Sequence, residues 1–325
     1  MTDYILPPMQ RTSCMAMKVV SLFCGCGGLD YGFAHTKGFA TTFAADRDAH
    51  AVEAYNANFE PVAVVMDVEK PTAAALEALR LADVVIGGPP CVDFSTAGNM
   101  TLGRNADLTS VYARIVCKAR PKYFVLENVP ALLTVGAAVY VRIRRMFKRA
   151  GYGLSANVVH AVDYGVPQTR RRLLLIGVLG GRDGELDAAL AAQKSPHVTM
   201  RQQLLKAKLL PQRTPYTAVY YMPRGTKQRG IFGLDGFHPT VRTKPSTLPP
   251  PNYKFHPGDA TRDRTKLLVL NCQQLGSIHS YPPTFVWPDR ASRCAKLIGN
   301  SVPPRLSLAV ARVIREHHEP RKAGK

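Results

Sequence analysis

From Lys18 to about Val178, short β-branched runs alternate with stretches of helical period, the texture of a parallel sheet flanked by helices. The runs predict strands near 18–23 (KVVSLF), 39–44 (FATTFA), 62–65, 82–86 (ADVVI), 122–126 (KYFVL), 155–159 and 172–178 (RLLLIGV). Helices are predicted between them, among them 48–58 and 137–150. In the second, Val139, Ile143, Met146 and Phe147 share one face, basic residues occupy the other, and Gly151 is placed to end it. That basic face reads as a solvated surface. Beyond about residue 180 the texture changes: 197–270 has no helical period, which predicts short strands and long loops held by proline and glycine. Regular structure returns in PPRLSLAVARVIREHHE, an amphipathic helix entered through two prolines. No internal repeat is present.

Composition adds a polyanion to this picture. The 325 residues are long enough for one large domain or two unequal ones, and 46% hydrophobic with 20% charged residues excludes a mainly disordered or coiled-coil chain. The net charge is +20, a surplus that usually answers a polyanionic partner, most often nucleic acid. Segment 197–270 holds nine prolines, thirteen Lys/Arg and only three acids (Asp235, Asp259, Asp263), so half of the surplus lies there. It reads as a separate domain whose basic loops suit a phosphate backbone. No run of about 18 apolar residues exists to span a bilayer, and the start lacks a signal-peptide core, so no membrane association and a cytoplasmic location are expected. Seven scattered cysteines without a CxxC pair argue against a disulfide framework and against a metal site.

The predicted strand ends carry the candidate chemistry. The first strand runs into FCGCGGLDYGF, where Gly25, Gly27 and Gly28 let backbone approach a ligand, or simply make a tight turn. Asp46 ends the second strand, where an acid can accept from ribose hydroxyls, and Asp67 follows the third, where one can meet an adenine amine; either could equally cap a helix, as could Asp48. The fourth strand ends in PPCVDFS, putting Cys91 on a proline-stiffened loop at the carboxyl edge of the sheet, although a lone cysteine is often only a small core residue. The fifth ends in LENVP, bringing Glu127, flanked by apolar Val125 and Val129, to the same edge as a proton donor. In Arg170-Arg171-Arg172, strand alternation would aim Arg170 and Arg172 together.

FxGxGG (23–28), PPCxxFS (89–95), ENV (127–129), QxRxR (168–172) and IGNSVPP (298–304) occur in the order seen in cytosine-5 DNA methyltransferases, and the chain resembles that family over about 18–178 and 267–317. The segment 270–287 looks like the family's helix before the last motif, degraded from its usual acidic-basic pattern. The resemblance implies an α/β fold: a doubly wound, Rossmann-like S-adenosylmethionine-dependent methyltransferase domain plus a smaller, irregular β-rich DNA target-recognition domain. The implied organisation is an N-terminal tail over 1–17, a catalytic and cofactor-binding domain over 18–185, target recognition over 190–270, a hinge over 271–295, and 296–325 returning as a helix to the catalytic domain.

By the same resemblance Cys91 is the nucleophile that adds to carbon 6 of a flipped-out cytosine, Glu127 serves nitrogen 3, and Arg170 is the cation at the exocyclic oxygen with Arg172 in support. Cofactor contacts fall on Phe23, Gly25, Gly27, Asp46, Asp67, Pro90, Leu108, Asn300 and Val302, and DNA contacts on Ser95 and on Arg224, Lys227 and Arg229 of the loop PRGTKQRG. The loop 91–107 is expected to close over the base as a lid. The expected partners are S-adenosylmethionine and double-stranded DNA, with no metal, for a monomeric protein associated with the nucleoid if its source is a prokaryote or phage. A tRNA cytosine-5 methyltransferase shares these catalytic residues, and a catalytically silent DNA-binding relative would share the basic segment. Three positions depart from the family: Ser21 for an acid, Asp46 for a longer Glu, and Val92 for a Gln after the nucleophile.

Overall fold

The computed structural model describes residues 16–90, 104–223 and 228–319, and for 104–107 the backbone alone. Its described residues fall into two compact units, one within 16–159, Arg171–Lys194 and 304–319, the other within His160–Arg170 and Ser195–Pro303.

The first unit is built on a seven-stranded sheet in the order β3-β2-β1-β4-β5-β8-β6. Its strands are β1 (Met17–Leu22), β2 (Phe39–Asp46), β3 (Ala63–Val65), β4 (Val84–Gly87), β5 (Tyr123–Asn128), β6 (Tyr152–His160) and β8 (Arg171–Leu179). Each overlaps a run predicted from the β-branched pattern. The helices of this unit are α1 (Asp30–Ala34), α2 (Ala49–Asn56), α3 (Ala73–Arg80), α4 (Arg104–Ala119), α5 (Ala137–Arg149), α6 (Asp187–Ala192) and α10 (Pro304–His318). Asp48 does cap α2, accepting from the His50 N–H at 3.1 Å. In α5, Val139, Ile143 and Phe147 are buried, Met146 is half-buried, and Gly151 follows the helix in a left-handed conformation (φ 91°). On α10, Ser307 packs closely against α1: its Oγ accepts from the Gly32 N–H at 2.9 Å, and a Cβ at Gly32 would lie 2.2 Å from the Ser307 carbonyl carbon.

Parallel pairing holds for β1 with β2 and β4, β2 with β3, and β4 with β5, but β8 runs antiparallel to β5. That corrects the expectation of a wholly parallel sheet. The reversal sets the amino end of β8 beside the carboxyl end of β5, with Asn128 opposite Leu173 and Glu127 opposite Leu174. The strand order turns back between β1 and β4, the switch point at which open α/β sheets leave a crevice for ligands. Close packing underlies that crevice: the Tyr112 hydroxyl of α4 donates to the carbonyls of Val85 and Val125 at 3.0 and 2.8 Å, and a Cβ at Gly87 would lie 2.6 Å from the same ring.

The second unit contains a three-stranded sheet of β9 (Ala218–Tyr220), β10 (Ile231–Gly233) and β12 (Leu267–Leu268), and a short parallel pair of β7 (Gln168–Thr169) with β11 (His238–Pro239). Short strands and long loops are as expected, but α7 (Met200–Lys206) is a helix where none was predicted. Its signal was the Thr199–Gln202 capping box rather than periodicity, since seven residues hold too few turns to show one. Helices α8 (Cys272–Ile278) and α9 (Ala291–Asn300) supply Leu275, Ile278, Cys294 and Ile298 to the core that also holds Val219, Leu234 and Val241. Shared burial therefore groups 271–303 with the basic segment, a division that composition does not mark.

Candidate active site

Glu127 and Arg172 meet. The Glu127 side chain is 10% and the Arg172 side chain 13% exposed, with Arg172 Nε 2.7 Å from Glu127 Oε1. The ion pair is at hydrogen-bond distance, yet the N–H is not aimed at the oxygen, so among the described residues Oε1 receives no aligned hydrogen bond. The end of β4 closes on this carboxylate: a Cβ at Gly88 would lie 3.3 Å from Glu127 Oε2, and Asn128 Nδ2 donates to the Pro89 carbonyl at 3.4 Å. Pro90, half-buried, continues into Cys91. Cys91, Ser95, Arg224 and Lys227 lie outside the described residues, as does Val92.

Arg170 does not follow the expected alternation. It sits between β7 and β8 rather than inside one strand, its N–H donating back to Gln168 O at 2.8 Å, so the period-two rule has no continuous strand to act on. It is 1% exposed, and its guanidinium donates to the carbonyls of Val241, Gly299 and Ser301 at 3.4, 3.0 and 2.8 Å. The cation beside Glu127 is Arg172, not Arg170.

The turn after β1 fits a cofactor. Phe23, Gly25 and Gly27 all have positive φ, a strained choice for Phe23 at 55°. At Gly27 a Cβ would collide with the ring of Phe59, whereas at Gly25 it would meet nothing among the described residues within 4 Å, space in which a ligand could lie against the backbone. Asp46 holds this turn, with Oδ2 accepting from the Gly25 N–H and Oδ1 from the Asp48 N–H, both at 2.9 Å. Burial raises its pKa, while those two N–H groups oppose the shift. One Asp46 side chain thus orders the Gly-rich turn and presents a carboxylate beside it. Asp67 is exposed at the end of β3 and accepts from the Glu69 N–H at 3.0 Å, while Leu108 of α4 is buried in the main core. Asn300, exposed, ends α9 in the second unit, and Val302 is buried there. Arg229 is exposed, its guanidinium 4.4 Å from the centre of the Phe232 ring.

Sequence reasoning missed the group beneath this turn. Asp30, fully buried at the start of α1, accepts from Ser21 Oγ at 2.9 Å and from Tyr55 Oη at 3.1 Å. This gives Ser21 a reason: an acid in its place would set two carboxyl groups side by side out of water, whereas a hydroxyl donates. Burial pushes Asp30 up to about 7, against the two hydroxyl donors that lower it. Since an unfolded aspartate titrates near 3.9, the folded state holds a proton that the unfolded chain lacks between about pH 4 and pH 7. Stability from this group is therefore full below pH 4, falls as pH rises towards 7, and is level above. Asp30→Asn should flatten that fall, read as a smaller shift in urea midpoint between pH 5 and pH 8 than in the native protein; an equal shift would place the titration elsewhere.

The model of the family described as C-5 cytosine-specific DNA methylase matches residues 17–218. The chain belongs to this family. It is an enzyme, a DNA (cytosine-5-)-methyltransferase, and the resemblance carried by the five sequence motifs holds. It is 34% identical over 303 residues to the Type II methyltransferase M.HindV of Haemophilus influenzae, covering 92% of this chain and 96% of that one. It is 31% identical over 298 residues to M.HgiDI of Herpetosiphon aurantiacus, covering 91% and 93%. The structure of S. pombe Dnmt2 methyltransferase superposes with a TM-score of 0.67 at 15% identity over 94% of this chain and 100% of that one, a likeness of fold. Among the described residues no helix is long and apolar enough to cross a membrane, and no group of His, Cys, Asp or Glu is arranged to hold a metal ion.

Proposed function

We propose that this family member methylates carbon 5 of a cytosine flipped out of duplex DNA, through a covalent bond between Cys91 and carbon 6. The observation that carries the reading is the Glu127–Arg172 pair at the carboxyl edge, closed upon by the Gly88–Pro90 segment whose next residue is Cys91. A cytosine ring is a poor carbon nucleophile. Addition of the Cys91 thiolate to carbon 6 forms the C–S bond and pushes the ring's π electrons onto carbon 5. Glu127 delivers a proton to nitrogen 3 as charge accumulates there, and the Arg172 guanidinium donates to the exocyclic oxygen, taking the role that the family resemblance implied for Arg170. S-adenosylmethionine, when bound, would supply the electrophilic methyl group that carbon 5 takes, its S–CH3 bond breaking to leave S-adenosylhomocysteine. Departure of the carbon 5 proton to solvent returns an electron pair to the ring and expels the Cys91 thiolate, as the nitrogen 3 proton goes back to Glu127.

Phe23, Gly25, Gly27, Asp46, Asp67, Pro90, Leu108, Asn300 and Val302 are the residues assigned to the cofactor, with the open space at Gly25 and the Asp46 carboxylate as support. Double-stranded DNA is assigned to the basic unit, where Arg229 with Arg224 and Lys227 offers phosphate contacts, and Ser95 to the loop after the nucleophile. The description of the matching family, a C-5 cytosine-specific DNA methylase, favours DNA over tRNA. Duplex DNA and tRNA offered side by side with methyl-labelled S-adenosylmethionine, followed by bisulfite sequencing of the DNA, should show 5-methylcytosine in one fixed DNA sequence. Label in tRNA alone would move the protein to the tRNA branch, and label in neither would make it a silent relative.

A further inference from the structure

Within the second unit lies a buried polar network that the proposed chemistry does not use. Gln168 and His279 are both 0% exposed, and Arg170 is 1% exposed. The Val241 N–H donates to Gln168 Oε1 at 2.9 Å, which orients the amide so that its Nε2 faces His279 Nδ1 at 3.0 Å and donates to it. The imidazole therefore carries its proton on Nε2, which faces the Ser301 carbonyl at 3.1 Å. Arg170 donates to that same oxygen at 2.8 Å and to the Gly299 carbonyl at 3.0 Å. Ser301 also turns back on α9, its Oγ and N–H donating to the Ile298 carbonyl at 2.9 and 3.2 Å.

The carbonyls on both sides of Asn300 are thus held by donors from two distant segments, while Asn300 itself stays exposed. A helix that merely had to end could leave its last carbonyls to water or to a local turn. Burying a guanidinium and an imidazole against them costs desolvation, which a precisely held backbone must justify. Gly299 leaves no slack: a Cβ there would lie 2.5 Å from the Arg242 carbonyl carbon.

We propose that His279, acting with Gln168 and Arg170, is a positioning residue that fixes the backbone of 299–301 so that Asn300 and Val302 meet S-adenosylmethionine. This rests on the assignment of those two residues to the cofactor. The test uses the full chain and measures S-adenosylmethionine binding by calorimetry without DNA, DNA binding without cofactor, and melting followed by the single tryptophan, Trp287. His279→Phe should weaken cofactor binding by about tenfold to a hundredfold, the scale of a buried hydrogen bond left unmade, and raise the KM for cofactor while DNA affinity stays at the native value. His279→Gln should restore binding, because its amide can accept from Gln168 and donate to Ser301. Arg170→Lys keeps the charge but cannot span both carbonyls, and should weaken cofactor binding likewise; it decides the matter if His279→Phe does not fold. Native affinity for the cofactor in a folded His279→Phe or Arg170→Lys protein would overturn the inference, as would cofactor and DNA binding falling together. Native protein that binds no S-adenosylmethionine, or Asn300→Ala binding it at native strength, would overturn the cofactor assignment instead.

Discussion

Cys91→Ser should reduce methyl transfer to below a few per cent of the native rate and leave DNA binding largely intact. The thiolate is the reacting form of cysteine, with a free thiol titrating near 8.5, and a serine hydroxyl is ionised far less readily. The proline-stiffened approach through Pro89 and Pro90 is unchanged by the substitution, so the loss should fall on the chemical step. Two measurements separate the role from a packing effect. Gel-shift affinity for duplex DNA should match the native protein. DNA carrying 5-fluorocytosine should trap the native enzyme in a complex that resists denaturant, because fluorine cannot leave carbon 5 as a cation, and Cys91→Ser should form no such complex. Appreciable turnover by the variant, or a trapped complex without the thiol, would remove Cys91 from the mechanism.

Glu127→Gln should slow the single-turnover rate by about a hundredfold to ten-thousandfold, the range in which positioned proton transfer contributes. An amide can still hydrogen-bond a base but cannot give up a proton to nitrogen 3. The variant also strips Arg172 of its carboxylate partner at 2.7 Å, and both side chains are largely out of water, so some stability should be lost as well. Comparing melting curves with rates keeps the two apart. A rate loss that persists well below the variant's melting temperature belongs to the chemistry, and an unaltered single-turnover rate would move the acid to another residue. Substrate affinity should change less than the rate, since the interaction matters most as charge develops on the ring.

Hydrophobic period and β-branched runs were enough to place the strands of the main sheet, the helices α2, α5 and α10, and Glu127 at a strand's carboxyl end. Those features depend on period and propensity over a few residues, which a linear reading sees directly. The Gly-rich turn after β1 was legible for the same reason, because glycines clustered after a strand favour positive φ within six residues. Long-range pairing decided the rest. The alternating pattern predicted a parallel sheet, yet β8 runs antiparallel to β5, and that reversal brings Arg172 to Glu127. Strand alternation could not distribute the arginines, because the chain breaks at Arg170 and sends that side chain to carbonyls of residues 241, 299 and 301. Nothing in the sequence singles out Asp30 before Ser21 and Tyr55 donate to it, and His279 is one of nine histidines until Gln168 and Ser301 fix its two nitrogens. A residue's type says which bonds it can make, whereas its partner is set by which distant segments the buried core draws together, and that is a property of the folded chain alone.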